Sequence, residues 1–257
     1  MANRPRNALL LSATINPMPG LPALARTDPA QRLQDYARAL SFYVQHLHKG
    51  TIDLIVFAEN SLADLSELRA LVDKAGVADR VEFVSFYGLD FPPTRGRGYG
   101  EFMLVEHAME HSQRLNKGQG WVVWKCTGRY VIQNFDKLVR SRPASADLYC
   151  HCRNHPQKWC ELYALAWTAE GYQRLIKGIH PKLANDMTPG VHTFEEVQFR
   201  GIIDAARGSL KLVQRFKVVP LIDAVRGWDN SKYSVKWYSP KILSRRVAGV
   251  VAPWLWI

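Results

Sequence analysis

An apolar run beginning at Trp121, WVVWKCTGRY, ends in two cations that could bind a phosphate group. Lys125 and Arg129 flank the pair Thr127-Gly128, and the next carboxylate in the chain is Asp136. Two fixed positive charges at the end of a strand can neutralise the charge that develops on a departing phosphate. The alternative is that one cation is solvated and the other pairs with an acid, namely Asp90, Glu101 or Asp136.

A second candidate for phosphate binding is the segment TRGRGYGEF, which begins at Thr94. As a flexible Gly-rich loop it would let a ligand approach the backbone, the following helix would offer free N–H groups, and Arg95 and Arg97 would add positive charge. It is not a P-loop, because no Gly-Lys-Ser/Thr follows. A solvated surface loop is the alternative, with Glu101 as a helix-dipole residue.

Polar side chains also follow the first two apolar runs. Thr14 and Asn16 lie in SATINP, and Glu59, Asn60 and Ser61 lie in AENS. In open α/β sheets, ligands bind beyond the carboxyl ends of the strands. These side chains are therefore candidates for contact with a base or a ribose, although Asn60 or Ser61 could instead cap the next helix.

The acidic segment TFEEVQF is a candidate source of a general base. Thr193 can cap a helix whose first turn carries Glu195 and Glu196. A carboxylate at a helix start beside a cleft is suited to take the proton of an attacking hydroxyl, and capping does not exclude catalysis. His192 and Asp186 are nearby secondary candidates.

Three of the four cysteines lie in YCHCRNHPQKWC, where Cys150, Cys152, His155 and Cys160 invite comparison with a zinc site. Strand alternation would put Cys150 and Cys152 on one face, and paired C-x-x-C motifs are absent. Free cysteines are among the residues most often buried. The segment therefore predicts packing within a strand, and no metal ligand is assigned.

The elements that would position these residues alternate between strands and helices. Apolar runs predict strands at NALLLSATI, IDLIVFAEN, RVEFVSFYG and WVVWKCTGRYVI, and helical spacing predicts helices between them, the first capped by Asp28 and followed by Gly50. Strands that are apolar on both faces indicate a mostly parallel sheet covered by helices on both sides. Past about Asp147 the alternation loosens, which predicts antiparallel additions. The predicted class is α/β, Rossmann-like in the first half and mixed in the second.

The charge of the chain is concentrated near its C-terminus. The 257 residues carry a formal net charge of +11, and residues 207–257 contain ten Lys and Arg against two Asp. A patch of this kind favours a polyanionic partner, which could be nucleic acid, anionic lipid or a phosphate-bearing substrate. No apolar stretch has the length of a signal peptide's core or a membrane span, and the cysteines do not form a secreted framework, so a cytoplasmic location is expected.

The tail KWYSPKILSRRVAGVVAPWLWI favours the surface of an anionic membrane. Its apolar residues between Ile242 and Val251 fall at near-helical spacing. Each basic residue near such a surface adds about 1 kcal/mol of binding. Packing onto the sheet and binding to nucleic acid are the alternatives. The cations and aromatic residues of the tail are Lys236, Lys241, Arg245, Arg246, Trp237, Tyr238, Trp254 and Trp256.

With these motifs in place, the chain resembles the nucleotide-sugar-dependent glycosyltransferases of bacterial lipopolysaccharide and capsule synthesis, which have a GT-A-like fold. The resemblance rests on LLLSATINP, IVFAENS, GRGYGE, KCTGRYVIQN and FEE, and covers roughly the first two hundred residues. GT-A enzymes commonly carry Asp-x-Asp near the fourth strand, where it holds a divalent metal, whereas this chain has Lys125 to Arg129 there. The resemblance implies that Glu195 or Glu196 is the catalytic base.

Sequence and resemblance together predict a glycosyltransferase that moves a sugar from a nucleotide-sugar donor to a lipid-linked or polysaccharide acceptor. No cofactor is assigned, and a divalent metal bound without Asp-x-Asp is the open alternative. Residues 1–206 would form the GT-A-like catalytic domain, and residues 207–257 a basic, aromatic extension on the inner face of the cytoplasmic membrane. The predicted catalytic residues are Glu195, Glu196 and His192, and the predicted donor-binding residues are Thr14, Asn16, Glu59, Asn60, Arg95, Arg97, Lys125, Thr127 and Arg129.

The expected partners are the donor, the acceptor and an anionic membrane, with no nucleic acid. Two other functions stay open from the sequence. One is a nucleic-acid-modifying enzyme that docks through the basic C-terminal patch. The other is a non-catalytic module of a polysaccharide-assembly complex.

Overall fold

The computed structural model describes residues 5–22, 24–118, 120–155, 157–183, 195–233, 240–251 and 256. Its strands are β1 (Arg6–Ala13), β2 (Leu54–Glu59), β3 (Val81–Ser85), β4 (Trp121–Thr127), β5 (Val131–Ile132), β6 (Leu148–Arg153), β7 (Trp159–Trp167), β8 (Leu212–Val213) and β9 (Ile222–Asp223). Its helices are α1 (Pro29–His48), α2 (Ser66–Lys74), α3 (Gly96–His111), α4 (Gln113–Lys117), α5 (Phe135–Ser141), α6 (Ala169–Gly171, continued by a π-helical turn at Tyr172–Ile176), α7 (Glu195–Ala205) and α8 (Pro240–Val251).

The central sheet has seven strands in the order β3-β2-β1-β4-β7-β6-β8. The first four of these pair in parallel, whereas β7 is antiparallel to both β4 and β6, and β8 is parallel to β6. The chain builds β1, β2 and β3 toward one edge and then places β4 on the other side of β1. The strand order therefore reverses between β1 and β4, and this is the point where ligands bind in open α/β sheets.

The sheet is covered on both faces, which explains why its strands are apolar without alternation. On β1, Leu9 and Leu11 face a core that also contains Tyr36 and Tyr43 of α1. The intervening residues of the strand face a second core, formed with α3 and α7. A strand buried on both faces gains from apolar residues at every position. The predicted α/β class, with a mostly parallel first half and antiparallel additions, is confirmed.

The predicted cap of the first helix is also confirmed. The Asp28 carboxylate accepts hydrogen bonds from the backbone N–H groups of Ala30 and Gln31, at 2.8 and 3.1 Å. Gly50 follows the helix with φ at +67°, a conformation that glycine adopts without strain. Helix α1 is thereby fixed at both ends against the core face of the sheet.

Residues 207–233 pack against the rest of the chain. Strand β8 pairs with β6, β9 pairs with β5 in a separate two-stranded sheet, and the Gly227 carbonyl accepts hydrogen bonds from the N–H groups of Ala25 and Arg26. The backbone carbonyl of Trp256 accepts from Asn154 N–H at 2.8 Å, so the end of the tail also contacts the main body. The division into 1–206 and 207–257 stays a prediction.

Helix α8 exposes a stripe of apolar side chains. Leu243, Val247 and Val251 are spaced four residues apart and are 53%, 51% and 71% exposed. The near-helical spacing of the tail is therefore confirmed for 240–251. Among the described residues, every helix is too short or too polar to cross a bilayer.

Candidate active site

A cavity of about 400 Å³ opens at the carboxyl ends of the parallel strands. Its volume lies in the range of small-molecule sites, and it adjoins the point between β1 and β4 where the strand order reverses. Its walls come from the ends of β1, β2 and β4, the N-terminal parts of α1, α3 and α7, the start of β7 and the segment 226–233. Charged side chains on these walls are Arg32, Arg97, Glu101, Arg129, Glu161, Glu195, Glu196 and Arg226.

The floor of the cavity is organised around the carboxylate of Glu101 on α3. Its Oε1 atom accepts hydrogen bonds from Ser12 Oγ at 2.7 Å and Thr127 Oγ1 at 3.3 Å, and lies 2.7 Å from Lys125 Nζ. Burial acts to raise the pKa of Glu101, but the ion pair with Lys125 and these hydrogen bonds outweigh it and lower the pKa. Glu101 therefore offers a fixed negative charge to the cavity at neutral pH.

Lys125 is fully buried beneath this floor. Its Nζ atom donates to the Leu162 carbonyl at 2.6 Å and is paired with Glu101. A buried ammonium group needs such partners because an unpaired charge is costly to remove from water. Of the acids considered as partners from the sequence, Glu101 is the one that Lys125 contacts. Any effect of Lys125 on a ligand must therefore pass through Glu101.

Two of the four arginines on the cavity wall, Arg97 and Arg129, are the candidates for phosphate binding. Arg129 is 7% exposed, donates from Nη1 to the Val225 carbonyl at 3.1 Å, and lies 3.7 Å from Asp35. Its buried Nε, like that of Arg97, has no hydrogen-bond partner among the described residues. Buried donors are rarely left unpaired in folded proteins, so both guanidinium groups have a donor available for a ligand.

Glu195 and Glu196 form an acidic pair at the start of α7. Glu195 is 5% exposed, its Oε1 lies 3.9 Å from Arg97 Nη2, and its buried Oε2 lacks a partner in the described part of the chain. Burial raises the pKa of Glu195, while burial and then repulsion by Glu195 raise the pKa of Glu196 to about 7. A carboxyl group with a pKa near neutrality can exchange a proton with a substrate hydroxyl.

Helices α3 and α7 meet at Gly98, and this contact positions the acidic pair. A Cβ atom at Gly98 would lie 2.4 Å from Glu195 Cβ, so a larger residue would push the two helices apart. The helix begins at Gly96, which places Glu101 in its second turn. The prediction of a flexible Gly-rich loop is therefore wrong. Gly96, Gly98 and Gly100 lie inside α3, and the side chains of Glu195 and Phe91 pack against Gly98 and Gly100.

The loops after β1 and β2 are tied together by side chains. Thr14 Oγ1 donates to Asn60 Oδ1 at 2.6 Å, and both residues line the cavity. The fully buried Glu59 carboxylate accepts hydrogen bonds from the N–H groups of Ile15, Ser61 and Ala63. The alternative role of Asn60 or Ser61 as a cap is not found, since α2 begins at Ser66 without a side-chain cap.

The cavity brings together seven of the residues predicted from the sequence. These are Thr14, Asn60, Arg97, Thr127, Arg129, Glu195 and Glu196. Four others do not line it: Lys125 and Glu59 lie behind its wall, the Asn16 N–H donates to Ser61 Oγ, and the exposed Arg95 lies over the Tyr99 ring. His192, like Asp186 and Thr193, lies outside the described residues. The ligand contacts of all these residues stay predictions.

Sequence reasoning missed part of the wall. The position of Glu101 at the cavity floor could have been predicted from the sequence, because a lysine inside an apolar strand needs a carboxylate nearby. No local pattern predicts that Arg226, Trp228 and Tyr233 line the cavity, since they reach it through the long-range contact of Gly227 with Ala25. Glu161 and Tyr163 were also missed, because their place depends on β7 running antiparallel to β4.

Neither a known protein family nor a curated protein matches the chain. Among solved structures, it is similar to a protein from Desulfovibrio desulfuricans G20 described as a "putative nucleotide-diphospho-sugar transferase". The TM-score is 0.43 at 12% identity, and the match covers 81% of this chain and 78% of the other. The function proposed for this chain accordingly rests on the geometry of its own site.

Proposed function

We propose that this chain is a glycosyltransferase and that the cavity binds a nucleotide-sugar donor. The observation that carries this proposal is the position of Glu195 and Glu196 in the same cavity as Arg97 and Arg129. Transfer of a sugar to a hydroxyl group needs a base for the acceptor proton and positive charge for the departing phosphate. Both requirements are met within one concave site at the switch point of the sheet.

In the proposed reaction, the acceptor oxygen forms a bond to the anomeric carbon of the donor. The bond between that carbon and the phosphate oxygen breaks, and the nucleotide leaves with the bonding electron pair. Glu196 takes the proton of the acceptor hydroxyl. Because burial, and then repulsion by Glu195, raise the pKa of Glu196 to about 7, its carboxylate is basic enough to do so near neutral pH.

The phosphate is assigned to Arg129 and Arg97. Each has a buried Nε atom with no protein partner in the described part of the chain, and a guanidinium group suits phosphate oxygens through paired N–H donors. The proposal therefore assigns the neutralising charge to side chains. We expect activity to persist in EDTA.

The sugar is assigned to the floor and the aromatic wall. The Glu101 carboxylate is ionised and can accept hydrogen bonds from sugar hydroxyls, and the lining residues Tyr163, Trp228 and Tyr233 are assigned to the C–H groups of the sugar. Thr14 and Asn60, at the ends of β1 and β2, are assigned to the nucleoside. This division follows the positions of the residues around the cavity.

The acceptor is proposed to be lipid-linked or part of a lipopolysaccharide or capsule, and the enzyme to work in the cytoplasm at the inner membrane face. The apolar stripe of α8 and the positive charge of 207–257 support this location.

A thermal-shift screen against UDP-, GDP-, dTDP- and CMP-sugars, with and without EDTA, tests the donor assignment. A ligand that binds only the folded state raises the melting temperature, because at a free concentration L it stabilises that state by RT ln(1 + L/Kd). We expect one nucleotide class to stabilise the protein in the presence of EDTA. Failure of all four classes to stabilise it, together with absence of transfer or hydrolysis, would refute the proposal.

The variant Arg129→Gln tests the phosphate assignment, with Arg140→Gln as its matched control. We expect Arg129→Gln to lose on the order of 10²–10³-fold in kcat/KM, because it removes a buried charge that faces the phosphate. Arg140 is exposed on α5 and pairs only with Asp136 in the described structure, so its variant should keep full activity. Full activity of a folded Arg129→Gln would remove the phosphate assignment while leaving the donor screen unaffected.

A further inference from the structure

Three buried cysteines converge outside the proposed active site. The Sγ atoms of Cys150, Cys152 and Cys160 all lie within 4.8 Å of one another, and each residue is 0% exposed. None of the three lines the cavity, and all are free thiols. Among the described residues, they form the one group of three or more His, Cys, Asp or Glu side chains close enough to share a metal ion.

The three sulfur atoms lie closer together than the regular geometry of a strand would place them. Two residues spaced i and i+2 on a regular strand are about 6.6 Å apart along the strand, yet Cys150 Sγ and Cys152 Sγ are 3.8 Å apart. The pairing of β6 with β7 shifts register between Tyr149 and His151, so Cys150 lies at an irregularity of the strand. Such irregularities re-aim side chains. Cys160 completes the group because it lies directly opposite Cys152 on β7.

We propose that Cys150, Cys152 and Cys160 bind one thiophilic dication, such as Zn²⁺ or Cd²⁺, through three thiolates. A Zn–S bond is about 2.3 Å long, so sulfur ligands of one ion lie about 3.8 Å apart. The Cys150–Cys152 pair already has this separation, and Cys160 needs to approach by a fraction of an ångström to about 1 Å. The sequence had predicted packing alone for these residues.

The charge around the cluster suits a metal thiolate. Three thiolates and a dication carry one net negative charge, which the buried guanidinium of Arg200 on α7 can help to balance. Arg200 also donates from Nη1 to the carbonyl of Arg153 at 2.9 Å. The ion would join β6 to β7, and Arg200 links these strands to the helix that carries Glu195 and Glu196, whether or not the proposed reaction is correct.

Binding releases the thiol protons, which gives a direct readout. Each ion displaces one proton from each thiol that it ligates, so three protons leave per dication when the cluster starts protonated. Affinity therefore falls as the pH is lowered. A merely buried cluster would show neither effect.

Titration of the reduced, metal-free protein with Cd²⁺ tests the proposal. We expect thiolate-to-cadmium absorption in the ultraviolet that saturates at one ion per chain, with a rise in melting temperature. Cys152→Ser should lose the absorption, whereas Cys126→Ser should keep it, because Cys126 is equally buried but lies on β4 outside the cluster. Absence of the absorption, or equal absorption in a folded Cys152→Ser, would overturn the proposal.

If Cys152→Ser does not fold, the proton release of the wild-type protein on Cd²⁺ binding still tests the proposal. Two or three protons released per Cd²⁺ at neutral pH would support the thiolate site. One proton or none would overturn it. Protein isolated from cells grown with zinc is expected to retain about one Zn²⁺ per chain by elemental analysis.

Discussion

Glu196 combines burial with a second carboxylate beside it, and this makes its protonation sensitive to pH near neutrality. Its pKa is raised to about 7 by burial and by Glu195. As a general base it must be ionised, so kcat should rise with pH through about 7 and then level off. Glu196→Gln should lower kcat by roughly 10²–10⁴-fold and abolish this limb of the pH profile. An unchanged profile in the variant would assign the base elsewhere.

The same pKa shift has a consequence for stability. A carboxyl group whose pKa is raised on folding favours the folded state below its unfolded pKa, and this contribution is lost as the pH rises through the folded value. The melting temperature of the wild-type protein should therefore fall between about pH 5 and pH 8. Glu196→Gln should show a shallower fall over this range in thermal denaturation. Glu67→Gln, on the outer face of α2, should follow the wild type.

Lys125 and Glu101 form a buried pair whose two members depend on each other. Lys125→Met would leave the Glu101 carboxylate without its cation, and removal of one partner of such a pair typically costs about 3–5 kcal/mol in the free energy of unfolding. The double variant Glu101→Gln/Lys125→Met should recover most of this loss in urea unfolding, because no charge is left unpaired. Additive losses would show that the pair contributes independently of its charge.

Helices α3 and α7 place the acidic pair through the contact at Gly98. Gly98→Ala would bring a methyl group to 2.4 Å from Glu195 Cβ, so one helix must shift. We expect a loss of about 1–3 kcal/mol in the free energy of unfolding and a lower kcat. The matched control is Gly201→Ala within α7, where a Cβ atom meets nothing within 4 Å. It should be neutral or stabilising by up to about 1 kcal/mol, measured by urea unfolding.

The elements of the sheet were predictable because their signals are local. The apolar runs that became β1, β2 and β4 are unbroken, and Asp28 and Gly50 mark both ends of α1. The start of α3 was harder to place, since three glycines within five residues favour a loop by local propensity. Their packing against Glu195 and Phe91 explains why the chain is helical there, and such contacts cannot be derived from a local pattern.

The candidate site was predictable where its residues follow strands. Thr14, Asn60, Thr127 and Arg129 lie at strand ends that meet at one edge of the sheet. Lys125 was expected at the same edge, but its place in the strand directs it toward α3, where Glu101 pairs with it. Thr127 lies on the same face of β4 and also contacts Glu101, but Lys125 lies two residues deeper in the strand and is therefore buried below the cavity.

At the scale of the whole molecule, residues 207–257 carry both the apolar stripe of α8 and ten Lys and Arg residues. Leu243→Asp/Val247→Asp should reduce sedimentation with vesicles of anionic lipid, because it replaces the apolar contact of α8 with charge. Leu62→Asp is the matched control, since Leu62 is 62% exposed far from α8 in sequence. Wild-type binding should weaken as salt is raised. Equal binding to neutral vesicles, or no binding to either, would contradict the membrane assignment.

The contact of Gly227 with Ala25 and Arg26 bears on how the protein matures during synthesis. Strands β1 to β4, β6 and β7 can pair while the ribosome is still translating, but Arg226, Trp228 and Tyr233 emerge later and complete the cavity wall. A nascent polypeptide therefore holds an assembled sheet before it can enclose a substrate. The chain should therefore become able to bind a substrate only after residues 226–233 have been synthesised.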